Sequence, residues 1–318
     1  MKKVVLLFLF FIILGFSSCS QQVPCVLEII NDDNTITNYE VSKTEDKQII
    51  KEVLNKFADV KTNVSSFNGV KVVSKGNISG AVNILKDNKE TNIKLDYETS
   101  LNLTINLKDY LLEGSIEIDG KDETESDSLY LKQKNNLSAE LHNDDEFIYL
   151  DGILKFNNNK IMTKRKVDIS SFTSQYKLLI STYVDLIKYY NITSFIKDID
   201  KFVDDYNVII ASTTKKSIIF RLEIDNVNSD LNFTNGLYIY VEVASSTLLP
   251  ISIQIEADDL IKEILESEYL NKYANAQIIV SNAKFKTELT IEYGNYSVEP
   301  LTQEEKEQFE LIDISKLL

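Results

Sequence analysis

The chain reads as an α+β fold in which an unclosed, curved antiparallel sheet wraps a central pair of helices. Three features of the sequence predict this. Apolar and polar residues alternate with a period of two from Ser66 to Lys166. Within that region one alternating stretch, Asn92–Leu107, runs for 16 residues. At ~3.3 Å per residue it reaches about 50 Å, far beyond an ordinary strand, so it must coil and the sheet must curl. Finally, Ser170–Tyr206 has a helical pattern and lies between two runs of strands, and a helix so placed needs a sheet to cover it.

Taken in order, Met1–Ser18 reads as a signal segment. Lys2 and Lys3 precede an apolar run of 13 residues, Val4–Phe16, too short for the ~20 residues of a comfortable membrane span. The run ends in Phe16-Ser17-Ser18-Cys19, which resembles the lipobox of bacterial lipoproteins, although Phe16 stands where that motif prefers an aliphatic residue. The alternatives are a fully released secreted protein or an uncleaved anchor. The resemblance implies that Cys19 is the lipid attachment site, carrying a diacylglyceryl group whose two acyl chains suffice for stable anchoring. The chain is then held on the extracytoplasmic face of the cell membrane.

Loss of Lys2 and Lys3 would take the formal net charge from −15 to −17. Such a surface repels nucleic acid and anionic headgroups, so no nucleic-acid partner is expected and the body should stand off the membrane. Residues 19–44 are read as tether and N-terminal segment, and 45–318 as a single α+β domain. With Cys19 acylated, Cys25 has no partner within the chain and is a free thiol near the tether, or pairs between chains.

Ser42 and Glu45 have capping-box spacing ahead of a helix that presents Ile49, Ile50, Val53, Leu54, Phe57 and Val60 on one side. In the meander that follows, Ile93, Leu95, Tyr97, Thr99, Leu101, Leu103, Ile105 and Leu107 face inward, Thr99 being the one polar member of the row. The polar clusters Lys86–Asn88, Asp119–Asp127, His142–Glu146 and Asn157–Lys160 are read as its turns, giving a sheet with one wet face. Later strands are expected at 208–211, 218–224, 237–243, 251–256, 278–280 and 285–293. A helix is expected at Ala257–Tyr273, and a short one at Thr302–Phe309 capped by Thr302 with Glu305.

The helical stretch Ser170–Tyr206 carries Tyr176, Leu179, Tyr183 and Ile187 at spacings that place them on one face toward the sheet. Tyrosine suits a wall that is apolar in its body and polar at its tips. These four are therefore the candidate ligand-binding residues, and the other reading is that they close a fully packed core.

No catalytic constellation stands out. His142 is the single histidine, beside Asp144, Asp145 and Glu146, and no second His or Cys cluster completes a metal shell. There is no Gly-x-Ser-x-Gly elbow and no Gly-rich phosphate loop. No cofactor and no enzymatic activity are expected.

At the level of architecture, residues 47–300 resemble the LolA/LppX-like lipoproteins. The local echoes are Leu129-Tyr130-Leu131, Ile148-Tyr149-Leu150-Asp151-Gly152, Leu248-Leu249-Pro250-Ile251-Ser252-Ile253, Glu292-Tyr293-Gly294 and Val298-Glu299-Pro300. The helix at Ala257–Tyr273 departs from the short turn usual there. The resemblance implies an unclosed half-barrel with helices in its concave side, and a lipid or other apolar ligand held between sheet and helices. The alternative is a non-enzymatic interaction lipoprotein with a closed core that binds a protein partner.

Overall fold

In the computed structural model, residues 23–30, 35–59, 67–106, 108–109, 111–126, 129–156, 159–168, 198–224, 237–246, 249–273 and 275–312 are described. Cys19, Tyr176, Leu179, Tyr183 and Ile187 lie outside them, as does most of the expected central helix pair.

Chain order gives a hairpin of β1 (Cys25–Ile30) and β2 (Ile36–Val41), then helix α1 (Lys47–Asp59). The meander follows: β3 (Gly69–Lys86), β4 (Lys89–Asn106), β5 (Leu111–Ser126), β6 (Leu129–Asn143), β7 (Phe147–Phe156) and β8 (Asn159–Asp168). Next come α2 (Ile199–Asp205), β9 (Ile209–Thr213), β10 (Ser217–Ile224), β11 (Leu237–Ala244) and β12 (Pro250–Glu256). Helix α3 (Asp258–Lys272), β13 (Gln277–Gly294), α4 (Gln303–Lys306) and β14 (Glu310–Ile312) complete the chain. Twelve strands form one curved, unclosed sheet in the order β14-β8-β7-β6-β5-β4-β3-β13-β12-β11-β10-β9.

Registers fix which side chains share a face. Ile78, Tyr97, Gly120 and Asn135 lie in one cross-strand row, and Val72, Leu103, Gly114 and Leu141 in another. The inward row of β4 is the expected one: Ile93, Leu95 and Leu101 are buried, whereas Lys94, Asp96, Glu98 and Asn102 are exposed. The same face continues through Leu289, Ile253, Val241 and Phe220 to the far edge. Both of the larger apolar cores lie on it. One packs α3 against β3, β4, β12 and β13. The other packs the β1–β2 hairpin, α1 and α2 against β9–β11.

The structure departs from the sequence reading at several points. Asp119–Ser126 is strand, not turn, because its charges alternate with inward residues and pair across to β4 and β6. The last long strand is unbroken in pairing except for a bulge between Ser281 and Lys284, where Asn282 takes a left-handed φ of 54°. Helix α1 is capped by Asp46, whose Oδ1 accepts from the amides of Gln48 (2.9 Å) and Ile49 (3.4 Å). Ser42 cannot cap it, because Thr44 is held extended against Ile210 by two backbone bonds. Cys25 is wholly buried in the second core. The described end of the stretch 170–206, helix α2, also belongs to that core: Val203 is fully buried there, and Lys51 links Asp200 and Asp204 to α1.

Each edge of the sheet is partly covered. Val23 and Thr44 bond along β9, and β14 pairs parallel with β8. The segment leading to β14 lies on the outer face. There α4 forms the expected capping box between Thr302 and Glu305, and Phe309 meets the Tyr149 ring edge-on at 5.2 Å. Asp144 holds the strap: it accepts from Tyr149 Oη (2.6 Å) and the amides of Glu146 and Phe147, and pairs with Lys306 Nζ at 2.8 Å. Burial alone would raise its pKa, but these partners outweigh burial and hold the carboxyl at about 2.

A depressed carboxyl stabilises the fold above its unfolded pKa, and the contribution fades as pH falls toward the folded value. Asp144→Asn should therefore cost ~1–3 kcal/mol at neutral pH, by the ordinary scale for a buried charge-assisted bond. Denaturant melts should show the gap to wild type closing as pH drops from about 4 to 2; a gap independent of pH would remove Asp144 as the clasp.

Candidate functional site

The candidate site is the inner face of the sheet, and its middle is shaped by small residues. Gly76 lies between Thr99 and Thr287. A Cβ there would stand 2.8 Å from Thr99 Oγ1 and 2.9 Å from Thr287 Oγ1. The two hydroxyls donate to the carbonyls of Gly76 and Lys75, both at 3.3 Å. Thr99 is thus tolerated inside because the strand beside it supplies an acceptor.

Helix α3 sits directly on this face. Leu260, Ile261, Leu265 and Tyr269 are its buried side, as their spacing predicts. Contact is close: a Cβ on Gly80 would lie 3.0 Å from Leu265 Cδ1. Beneath α3 the core is built of buried apolar side chains. Over β5–β7 the inward Ile116 and Ala139 are buried, whereas Ile118, Leu137, Leu141 and Leu150 are only partly buried.

Between these two regions lies a buried polar trio. The Tyr97 ring lies across Gly120, where any side chain would overlap it. Tyr97 Oη donates to Asp122 Oδ1 at 2.7 Å, and Asn135 Nδ2 donates to Asp122 Oδ2 and to Tyr97 Oη, each at 3.0 Å. Asp122 is 6% exposed and forms no ion pair among the described residues. Burial pushes its carboxyl pKa up, opposed by the Tyr97 and Asn135 bonds. Desolvation and the facing carboxylate push the Tyr97 phenol up, and Tyr269 of α3 is raised to about 12 by burial and then by Asp122. An ionised Asp122 retains lone pairs on both oxygens. The trio can therefore accept a hydroxyl or ammonium, but it repels an anion.

Sequence reasoning missed the trio because Asp122 falls in a run of acids. The signal was its register, two positions from Ile118 on the inward row. Beside His142, Asp144 is committed to Lys306 and Tyr149, and no group of three His, Cys, Asp or Glu that could hold a metal ion occurs among the described residues.

Two cavities lined by described residues lie on the outer face. One of about 370 Å³ opens beside the strap at Asp144, Tyr149 and Lys306. The other, about 670 Å³, follows two polar cross-strand rows that include Lys75, Glu98, Glu117, Asp119, Lys286 and Glu288. The first is lined mostly by charged and polar side chains, and the second also reaches Ile118 and Leu137.

Tyr97→Phe removes one of the donors that hold Asp122 ionised. It should destabilise by ~1–3 kcal/mol at neutral pH. The bond favours the charged form and holds the Asp122 pKa below where burial alone would put it, so the penalty should shrink when the carboxyl is protonated. Equal penalties at neutral and acidic pH would show that the bond does not reach the carboxylate.

No protein-family model matches this chain, and no curated protein matches it in sequence.

Proposed function

We propose that the protein is a lipid-anchored, non-enzymatic carrier that holds an apolar ligand on the inner face of its sheet, over β5–β7. The carrying observation is the unevenly covered inner face. Helix α3 covers β3, β4 and β13, and packing reaches Ile116 and Ala139, while Ile118, Leu137, Leu141 and Leu150 keep partial exposure in a strip that runs toward the only buried carboxylate among the described residues. An apolar strip ending in a buried acceptor fits an amphiphile. Because that acceptor carries no cation among the described residues, a ligand ending in hydroxyls or an amine fits better than a fatty-acid anion. Tyr176, Leu179, Tyr183 and Ile187 remain the proposed second wall, and the half-barrel lipoprotein resemblance supports the same reading.

A second reading, an interaction lipoprotein with a closed core, is favoured by the outer trough of about 670 Å³, which crosses five strands with charged side chains along it and has room for an extended peptide.

Organic extraction of protein purified from membranes, followed by mass spectrometry, separates the two. Carriage predicts a defined lipid near stoichiometric with protein, reduced by Leu137→Trp while the fold persists. Absence of lipid, together with destabilisation of ~1–3 kcal/mol by Leu137→Trp as overpacking gives, would favour the closed core. The anchor is tested separately. Intact mass of the membrane-bound chain should show Cys19 as an acylated N-terminus, and Cys19→Ala should abolish that mass; an unmodified Cys19 in membranes would overturn the anchor.

A further inference from the structure

We propose that one end of the sheet is a bilayer-docking rim, formed by the β3–β4 turn, the start of β6, the last turn of α3 and the start of β13. Eleven large hydrophobic side chains are exposed among the described residues, and six of them are here: Leu85, Leu129, Tyr130, Leu131, Leu270 and Ile279. The remaining five are scattered, as single exposed apolar residues normally are. Registers place the six together. Leu85 pairs with Gln277, two residues before Ile279; Thr91, in the next strand, pairs with Ser126, which pairs with Leu129. The backbone from Tyr269 through Tyr273 to Ala276 brings the end of α3 to the same place.

Two properties select a bilayer over a protein groove. First, the apolar side chains occupy both faces. Leu129 and Leu131 share the inward alternation of Asn135, and Leu270 lies on the helix covering that face, whereas Tyr130, Leu85 and Ile279 alternate outward. A protein groove receives one face of a strand, while the hydrocarbon boundary receives an inserted end from both sides. Second, the charge changes locally. Lys86, Lys89, Lys94, Lys132 and Lys272 stand against Asp87, Glu90, Glu123, Glu125 and Glu268, five against five giving no net charge, in a chain of formal charge −15. Lysine stems lie along apolar surface with the ammonium in the headgroup layer, and tyrosine prefers the same layer. The acidic body is repelled by anionic lipid and this rim is not, so approach to a membrane is oriented. The rim requires no bound ligand, and lipid carriage can fail while docking stands.

The sequence contains no tryptophan, so a single one reports its surroundings. The full chain is prepared as Tyr130→Trp and, separately, as Tyr206→Trp. Tyr206 is also exposed, at 38%, but belongs to the region around α2 and the second core. Each variant is mixed with phosphatidylcholine vesicles bearing brominated acyl chains. Docking predicts a blue shift and loss of emission for Tyr130→Trp, little change for Tyr206→Trp, and weaker loss when Leu129→Ser and Leu131→Ser are added to the first. Absence of quenching in Tyr130→Trp, or equal quenching in both, overturns the proposal. So does a shift in Tyr130→Trp that follows protein concentration without vesicles, which would make a second copy of the chain the occupant.

Discussion

A twelve-stranded sheet with a single apolar face has to hide that face and both of its edges, and most of the remaining structure follows from this. Period-two alternation leaves no freedom: once Ile78 faces inward, so do Tyr97, Gly120 and Asn135 across the ladder. The apolar rows then extend from β9 to β8. Helix α3 alone is too short to cover them, so the β1–β2 hairpin, α1 and α2 cover the β9–β11 end. Edge protection comes from the chain's two ends, with Val23 on β9 and β14 on β8.

Inner-face coverage and outer-face bracing meet in β7. Tyr149 and Leu150 are successive residues and so point to opposite sides: Tyr149 is 2% exposed beneath the C-terminal strap, while Leu150 joins the inner core only at its margin. Strapping β7 from outside keeps it in register without a dense layer inside. The strap's charge-assisted contacts at Asp144 and its ring contact with Phe309 do for β7 what buried valines and isoleucines do for β3.

Much of this was legible in the sequence where one periodicity dominated. The inward row of β4, the buried side of α3 and the Thr302–Glu305 cap followed from spacing alone. Charge misled where it was dense. Asp119–Asp127 looks like a connection because polarity hides the alternation, yet Glu123 and Glu125 are simply the wet face and only Asp122 points in. Caps and bulges depend on distant contacts: Asp46 caps α1 because Ile210 holds Thr44, a pairing across more than 160 residues. The candidate site was visible only in half. Tyr97 stood in the inward row of β4, but its partners Asp122 and Asn135 arrive from β5 and β6 by register.

That trio also explains why the inner face divides where it does. A carboxyl at 6% exposure without a cation among the described residues is costly in a dry core unless hydrogen bonds answer it. Apolar packing directly against it would have deepened the cost; the buried residues that β5 and β6 give to the core, Ile116 and Ala139, lie six and four residues along their strands from Asp122 and Asn135. Placing Gly120 under the Tyr97 ring gives the phenol its reach to Asp122 while the ring itself seals the sheet beside α3. The boundary between packed core and open strip is thus drawn by one carboxylate and the ring that shields it, on a face otherwise built of aliphatic side chains.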